Sequence, residues 1–150
     1  MNTLIKITKH CLIPILLGGC IYVLFRSRSL IVFGWVNEIG LYELINPLRA
    51  YINANGVLIP NWFIYSLPDA LWMYSFASAL IIANDYKWNE YKYWLLLPIL
   101  FGIGIEFLQL LRLFKGTFDA NDLFFYFVGI VSSVLNLDKN NKEINYKYLK

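Results

Sequence analysis

The sequence predicts an all-α membrane domain, a bundle of four spanning helices with one interfacial or re-entrant helix at about residues 29–45. Three observations predict it. Hydrophobic residues make up 59% and charged residues 15% of the 150-residue chain, at a mean hydropathy of +0.53, more apolar than a soluble domain needs to be. Apolar runs close to the length of a membrane span recur along it. Its Lys and Arg residues flank those runs instead of forming a stripe, so the net charge of +3 speaks of membrane topology and against a nucleic-acid partner. Residues 1–137 read as one integral-membrane domain. Residues 138–150, rich in Asn and Lys, read as a polar, mobile tail.

The first run, 7–25, carries Lys6 and Lys9 at its amino-terminal end and is expected to be an uncleaved span. Leu17-Gly18-Gly19-Cys20 has the form of a lipoprotein box, but Ile21-Tyr22-Val23-Leu24-Phe25 continues the apolar run where a polar tether should begin. Cys11 and Cys20 lie on opposite helix faces roughly 13 Å apart along the axis, which excludes a disulfide between them. With His10 as the sole histidine, no metal or redox set is expected among the three, and packing is the role expected for the cysteines.

The stretch 29–45 is apolar at Leu30, Val32, Phe33, Trp35, Val36, Ile39, Tyr42 and Leu44 but carries Glu38 and Glu43, which suits a helix lying at the interface. From Pro47 to Ser66, the turn signals Asn53-Ala54-Asn55-Gly56 and Pro60-Asn61, with Trp62 and Tyr65 for the headgroup level, predict a connection draped over one face. The remaining spans are 67–83, 93–113 and 122–137. Ser75, Ala79 and Ala83, and later Gly129 and Ser133, offer small surfaces for helix approach. With the amino terminus in the cytoplasm, eight Lys (6, 9, 87, 92, 139, 142, 147, 150) fall inside against Arg26, Arg28, Arg49, Arg112 and Lys115 outside. Cytoplasmic termini follow from that balance.

Glu106, Gln109 and Arg112 sit within or at the end of the third span, and Asp119 and Asp122 follow it. A charge at the bilayer centre costs from about 2.5 to over 10 kcal/mol, and such groups face protein or trapped water. Because successive spans alternate in direction, Asp69 at the start of the second span reaches the same membrane side. A one-sided polar pocket of Asp69, Glu106, Gln109, Arg112, Asp119 and Asp122 is therefore expected. Glu106 and Gln109, three residues apart, share a face with Gly102, whose missing side chain leaves room beside them. Plainer roles exist for some of these residues: Asp69 and Asp122 suit helix caps, and Arg112 and Lys115 suit snorkelling to headgroups. Glu106, inside the apolar run, has no such role.

Glu106-x-x-Gln109, then Gly116-Thr117-Phe118-Asp119-x-x-Asp122 and a helix with Gly129, resembles the carboxy-terminal signature of the VanZ-like family of small multi-pass bacterial membrane proteins. In that family a Glu-x-x-Gln or Glu-x-x-x-Gln helix precedes an Arg-and-Asp turn and an Asp-x-x-x-Asn-x-x-Gly helix. Here Arg112 comes one turn earlier, Lys115 and Gly116 precede Asp119, and Tyr126 stands in the place of the Asn. The family's earlier Asp-Lys-x-x-His would fall at Asp69-Ala70-Leu71-Trp72, which lacks the Lys and His. The resemblance spans about residues 67–135. It implies a bacterial cytoplasmic-membrane protein in an envelope setting, the founding members being associated with low-level glycopeptide resistance, and it implies no reaction.

The expected function is accordingly binding of a lipid headgroup, a cell-wall precursor or a partner protein, with membrane lipids as constant partners. Arg112 and Lys115 would draw an anionic group while Glu106 and Gln109 hydrogen-bond the ligand. No Ser or Cys nucleophile motif and no HExxH pair appears, so no metal, cofactor or catalytic residue is expected. The enzyme alternative is an intramembrane hydrolase or transferase using carboxylates such as Glu106 and Asp122 as acid and base. A transporter is disfavoured, four helices leaving little room for a pathway unless copies of the chain associate.

Overall fold

The computed structural model describes residues 3–28, 31–55, 58–114 and 116–148, with Ile31 and 138–148 as backbone alone. Among the described residues all regular structure is helical. Helix α1 (Thr3–Phe25) is followed by α2 (Ile31–Glu38), α3 (Tyr42–Ala54), α4 (Asn61–Tyr65), α5 (Leu67–Ala83), α6 (Trp88–Leu110) and α7 (Ala120–Tyr148). Among the described residues, three segments are long and apolar enough to cross a membrane: α1, α6 and the part of α7 from Ala120 to Leu137. At 17 residues, α5 is apolar but shorter than these.

Prolines shape the long helices. A proline lacks the N–H that the carbonyl four residues earlier expects. In α1, Pro14 follows a π-helical turn over Thr8–Leu12. In α6, Pro98 follows an interruption at Leu95.

The bundle is organised around α5, which packs chiefly on α7 and α1. Its Ala70, Met73, Ala77 and Ile81 are buried at the three-to-four spacing of one helix face. They join a core that includes Cys11, Tyr91, Leu95, Ile130 and Leu137. At Gly129 the backbones of α7 and α5 touch, since a Cβ there would stand 2.3 Å from the Ala70 carbonyl oxygen. Gly18 of α1 makes a similar approach to α5, with the Trp72 indole 2.6 Å from where a Cβ would be. The Ser75 hydroxyl adds a hydrogen bond of 2.8 Å to the Cys11 carbonyl.

Of the small residues expected at interfaces, Ser75, Gly129 and Ser133 are buried, whereas Ala79 and Ala83 are exposed. A stripe with strict four-residue spacing rotates by roughly 40° per step around a helix, so it drifts off a face defined by residues 70, 73, 77 and 81.

The chain alternates in direction. The Lys6 ammonium lies 4.0 Å from the centre of the Tyr86 ring, so α1 begins where α5 ends. Arg26 donates to the Tyr65 carbonyl at 3.1 Å, so α1 ends where α5 begins.

The region expected as one interfacial helix at 29–45 divides in two. Gly40, with φ +73°, turns the chain between α2 and α3, and α3 runs on through Pro47 to Ala54, where a loop was expected. On α3 the exposed Leu44, Leu48 and Tyr51, at i, i+4 and i+7, form an apolar outer stripe. Its opposite face buries Arg49. At the carboxy terminus, the segment expected as a tail continues the α7 backbone helix as far as Tyr148.

Candidate polar pocket

A pocket of about 550 Å³ opens between the end of α1, the start of α5, the end of α6, the turn at 116–119 and the start of α7. Alternating helix direction brings these ends together. Five of the six residues expected there line it: Asp69, Glu106, Gln109, Asp119 and Asp122.

Glu106 is 2% exposed, and a carboxylate so buried is tolerated only when hydrogen-bonded. Its Oε1 accepts the Tyr126 hydroxyl at 3.1 Å, and its Oε2 accepts the Asp119 backbone N–H at 3.1 Å. The first bond depends on Gly102, where a Cβ would come within 2.8 Å of the Tyr126 ring. The space expected beside Gly102 is thus occupied by Tyr126 of α7. The second bond ties the inter-helix turn to α6.

Gln109 packs on Gly116, whose φ of +141° calls for glycine and where a built Cβ would stand 2.6 Å from the flexible end of the Gln109 side chain. Asp119 precedes α7, and its Oδ1 accepts the Asn121 N–H at 2.8 Å, which satisfies one of the free donors of the helix start. Capping therefore belongs to Asp119.

Asp69 and Asp122, for which capping was the plain reading, have other surroundings. The residue before α5 is Ser66, and no side chain caps that helix start. Asp69 lies in the first turn of α5, within electrostatic reach of Asp122, Arg26 and Glu106. Asp122 faces the buried Ser66 hydroxyl, and its Oδ1 is buried with no hydrogen-bond partner. These two carboxylates keep acceptor capacity for a visitor.

Arg112 does not join the pocket. Helix α6 ends at Leu110, and Arg112 adopts φ +59° just beyond it. Its N–H donates to the Gln109 carbonyl and the Leu113 N–H to the Leu108 carbonyl, each at 2.9 Å. This is a Schellman closure, with Arg112 at the left-handed position that glycine usually takes. Its side chain is exposed, away from Asp119, Asp122 and Glu106. Lys115 lies outside the described residues.

Among the described residues the cation in the pocket is Arg26, from the end of α1. Its guanidinium lies 4.6 Å from the centre of the Tyr65 ring and 5.1 Å from that of Tyr22. Sequence reasoning counted Arg26 only toward topology. Its signal was present, since α1 runs antiparallel to α5 and ends on the side where Asp69 begins.

Among the described residues, four carboxylates thus share the pocket wall with one guanidinium, beside the rings of Trp72, Phe76 and Phe101. Among the described residues no group of three His, Cys, Asp or Glu is arranged to hold a metal ion. A second polar pair lies elsewhere. His10, 3% exposed in the π-helical turn, has Nδ1 2.6 Å from the Tyr74 hydroxyl, and a lone histidine in an apolar run had carried no sign of it. Compared with family models, characterised proteins and solved structures, the chain matches none.

Proposed function

We propose that this chain is a VanZ-like multi-pass protein of the bacterial cytoplasmic membrane that binds the polar headgroup of a membrane-embedded ligand, a lipid or a lipid-linked cell-wall precursor, without transforming it. In this reading α5 is a fourth span, α2 and α3 lie at the outer interface, and the termini face the cytoplasm. The observation that carries it is a cavity lined by Asp69, Asp122 and Arg26 beside aromatic rings, in which the Asp122 Oδ1 is buried without a hydrogen-bond partner. Concave, largely apolar sites with a few convergent polar groups are where small ligands bind. Support for the family likeness comes from Glu106, Gln109, Asp119 and Asp122 sharing that cavity, with Gly129 seating the helix that follows.

Among the described residues the lining carries more acid than base, which favours a ligand rich in hydrogen-bond donors, hydroxyls or an ammonium, in place of the anionic group expected from Arg112. The hydrolase alternative is weakened at Glu106, whose two oxygens already accept the Tyr126 hydroxyl and the Asp119 amide and so make it a poor general base.

The test compares lipids co-purified with the wild type, Asp69→Asn and Asp122→Asn by mass spectrometry. A lipid species should accompany the wild type and fall at least tenfold in both variants while their membrane abundance is unchanged. Equal retention in all three proteins would remove the reading.

A further inference from the structure

Arg49 presents a different chemistry from the acidic pocket. Only 8% exposed, it donates from Nη1 to the Val23 carbonyl and from Nη2 to the Arg26 carbonyl at 2.7 Å, and its guanidinium lies 4.9 Å from the centre of the Phe33 ring. Every one of these partners is neutral. The charged group that reaches it is a second cation, Arg28, itself donating to the Asn46 Oδ1 at 2.6 Å. Among the described residues no carboxylate pairs with Arg49. A buried cation with only neutral partners is costly, and the carbonyl end of α1 offsets part of that through its dipole.

The guanidinium also has an unspent donor. Its Nε is buried without a hydrogen-bond partner. Arg49 lines a hollow of about 210 Å³ together with Asn53 and the apolar Leu24, Phe25, Ile59 and Ile64. A neutral occupant would leave the charge as it is; an anion would balance it. Among biological anions, phosphate fits the planar fork of arginine, and the Asn53 amide adds a donor of its own.

We propose that the hollow between the end of α1, α3 and α4 is a phosphate-binding site, with Arg49 and Asn53 as its ligands. It is independent of the acidic pocket and of the function proposed for it. The exposed stripe of Leu44, Leu48 and Tyr51 on the outer face of α3 sets the hollow at the level of lipid headgroups, whose phosphodiesters are one source of the ligand. Free phosphate is the other.

The test measures the thermal midpoint of the purified full chain in detergent against dihexanoylphosphatidylglycerol, dihexanoylglycerol and inorganic phosphate. Asn53→Asp sets a carboxylate beside the site and leaves Arg49 with both carbonyl bonds, so the variant keeps its fold and repels an anion. The wild type should gain saturable stabilisation from the phospholipid and none from its phosphate-free analogue, and Asn53→Asp should weaken that binding at least tenfold. A response to the phospholipid alone assigns the site to headgroups, and a response to inorganic phosphate assigns it to free phosphate. No response to either, equal response to phospholipid and analogue, or a wild-type response from Asn53→Asp would overturn the proposal.

Discussion

Glu106 and Arg49 are both charged side chains buried to within a tenth of their surface, 2% and 8% exposed, and they lie in two regions at the same end of the bundle. Glu106 receives one donor on each oxygen, from the Tyr126 hydroxyl and the Asp119 amide. Arg49 gives two donors to the carbonyls of Val23 and Arg26 and retains a third, Nε, without a partner. One closes its hydrogen-bonding account within the protein; the other does not. Burial alone therefore does not mark a binding group here. In the acidic region the capacity left over lies on Asp122 and Asp69, beside the residue whose position in the apolar run singles it out.

The largest test of this contrast is Glu106→Gln. A glutamine keeps one acceptor oxygen but turns an NH₂ toward a hydrogen-bond donor, so the change should cost about 2–3 kcal/mol, read as a lower thermal midpoint of the purified protein. Loss of ligand without loss of stability would instead make Glu106 a binding residue. Next comes Arg49→Gln, which removes charge-assisted bonds to the last turn of α1 and should cost about 2 kcal/mol while leaving ligand retention in the acidic pocket unchanged. If retention falls with it, the two regions are one site.

The smallest effect is a gain. Arg112→Gly relieves a left-handed backbone conformation and should stabilise the protein by about 0.5 kcal/mol with no change in pocket occupancy. A drop in occupancy would return Arg112 to the pocket.

Much of the acidic region was legible in the sequence because it depends on helix direction alone. Once spans alternate, Asp69, Glu106 and Asp122 must reach the same side, whatever the details of packing. Arg112 was misplaced because one residue past a helix end the direction of the chain depends on the closing turn, and an arginine in the left-handed position leaves no mark in composition. Arg26 was overlooked for the opposite reason, since a cation after an apolar run has an ordinary explanation in topology.

The Arg49 region was not legible. Glu38 and Glu43 argued for a surface-lying helix and Pro47 for the start of a connection, and nothing local to α3 says that Arg49 turns inward. That inversion arises only from contact with the end of α1, which is a tertiary fact. The polar pair of His10 and Tyr74 was hidden likewise, the two residues being 64 positions apart.

The π-helical turn at Thr8–Leu12 has a consequence for how this chain can change over generations. Such a turn fits one more residue into the same rise than an α-helix does, so everything before it is rotated by about 100° relative to an unbroken helix. Deleting one residue there would turn it into ordinary α-helix and leave Lys6 over the Tyr86 ring, whereas regularising the turn with all its residues kept would swing Lys6 away. The first helix thus has a phase as well as a length, and insertions or deletions on the amino-terminal side of Pro14 are selected by rotation rather than by span.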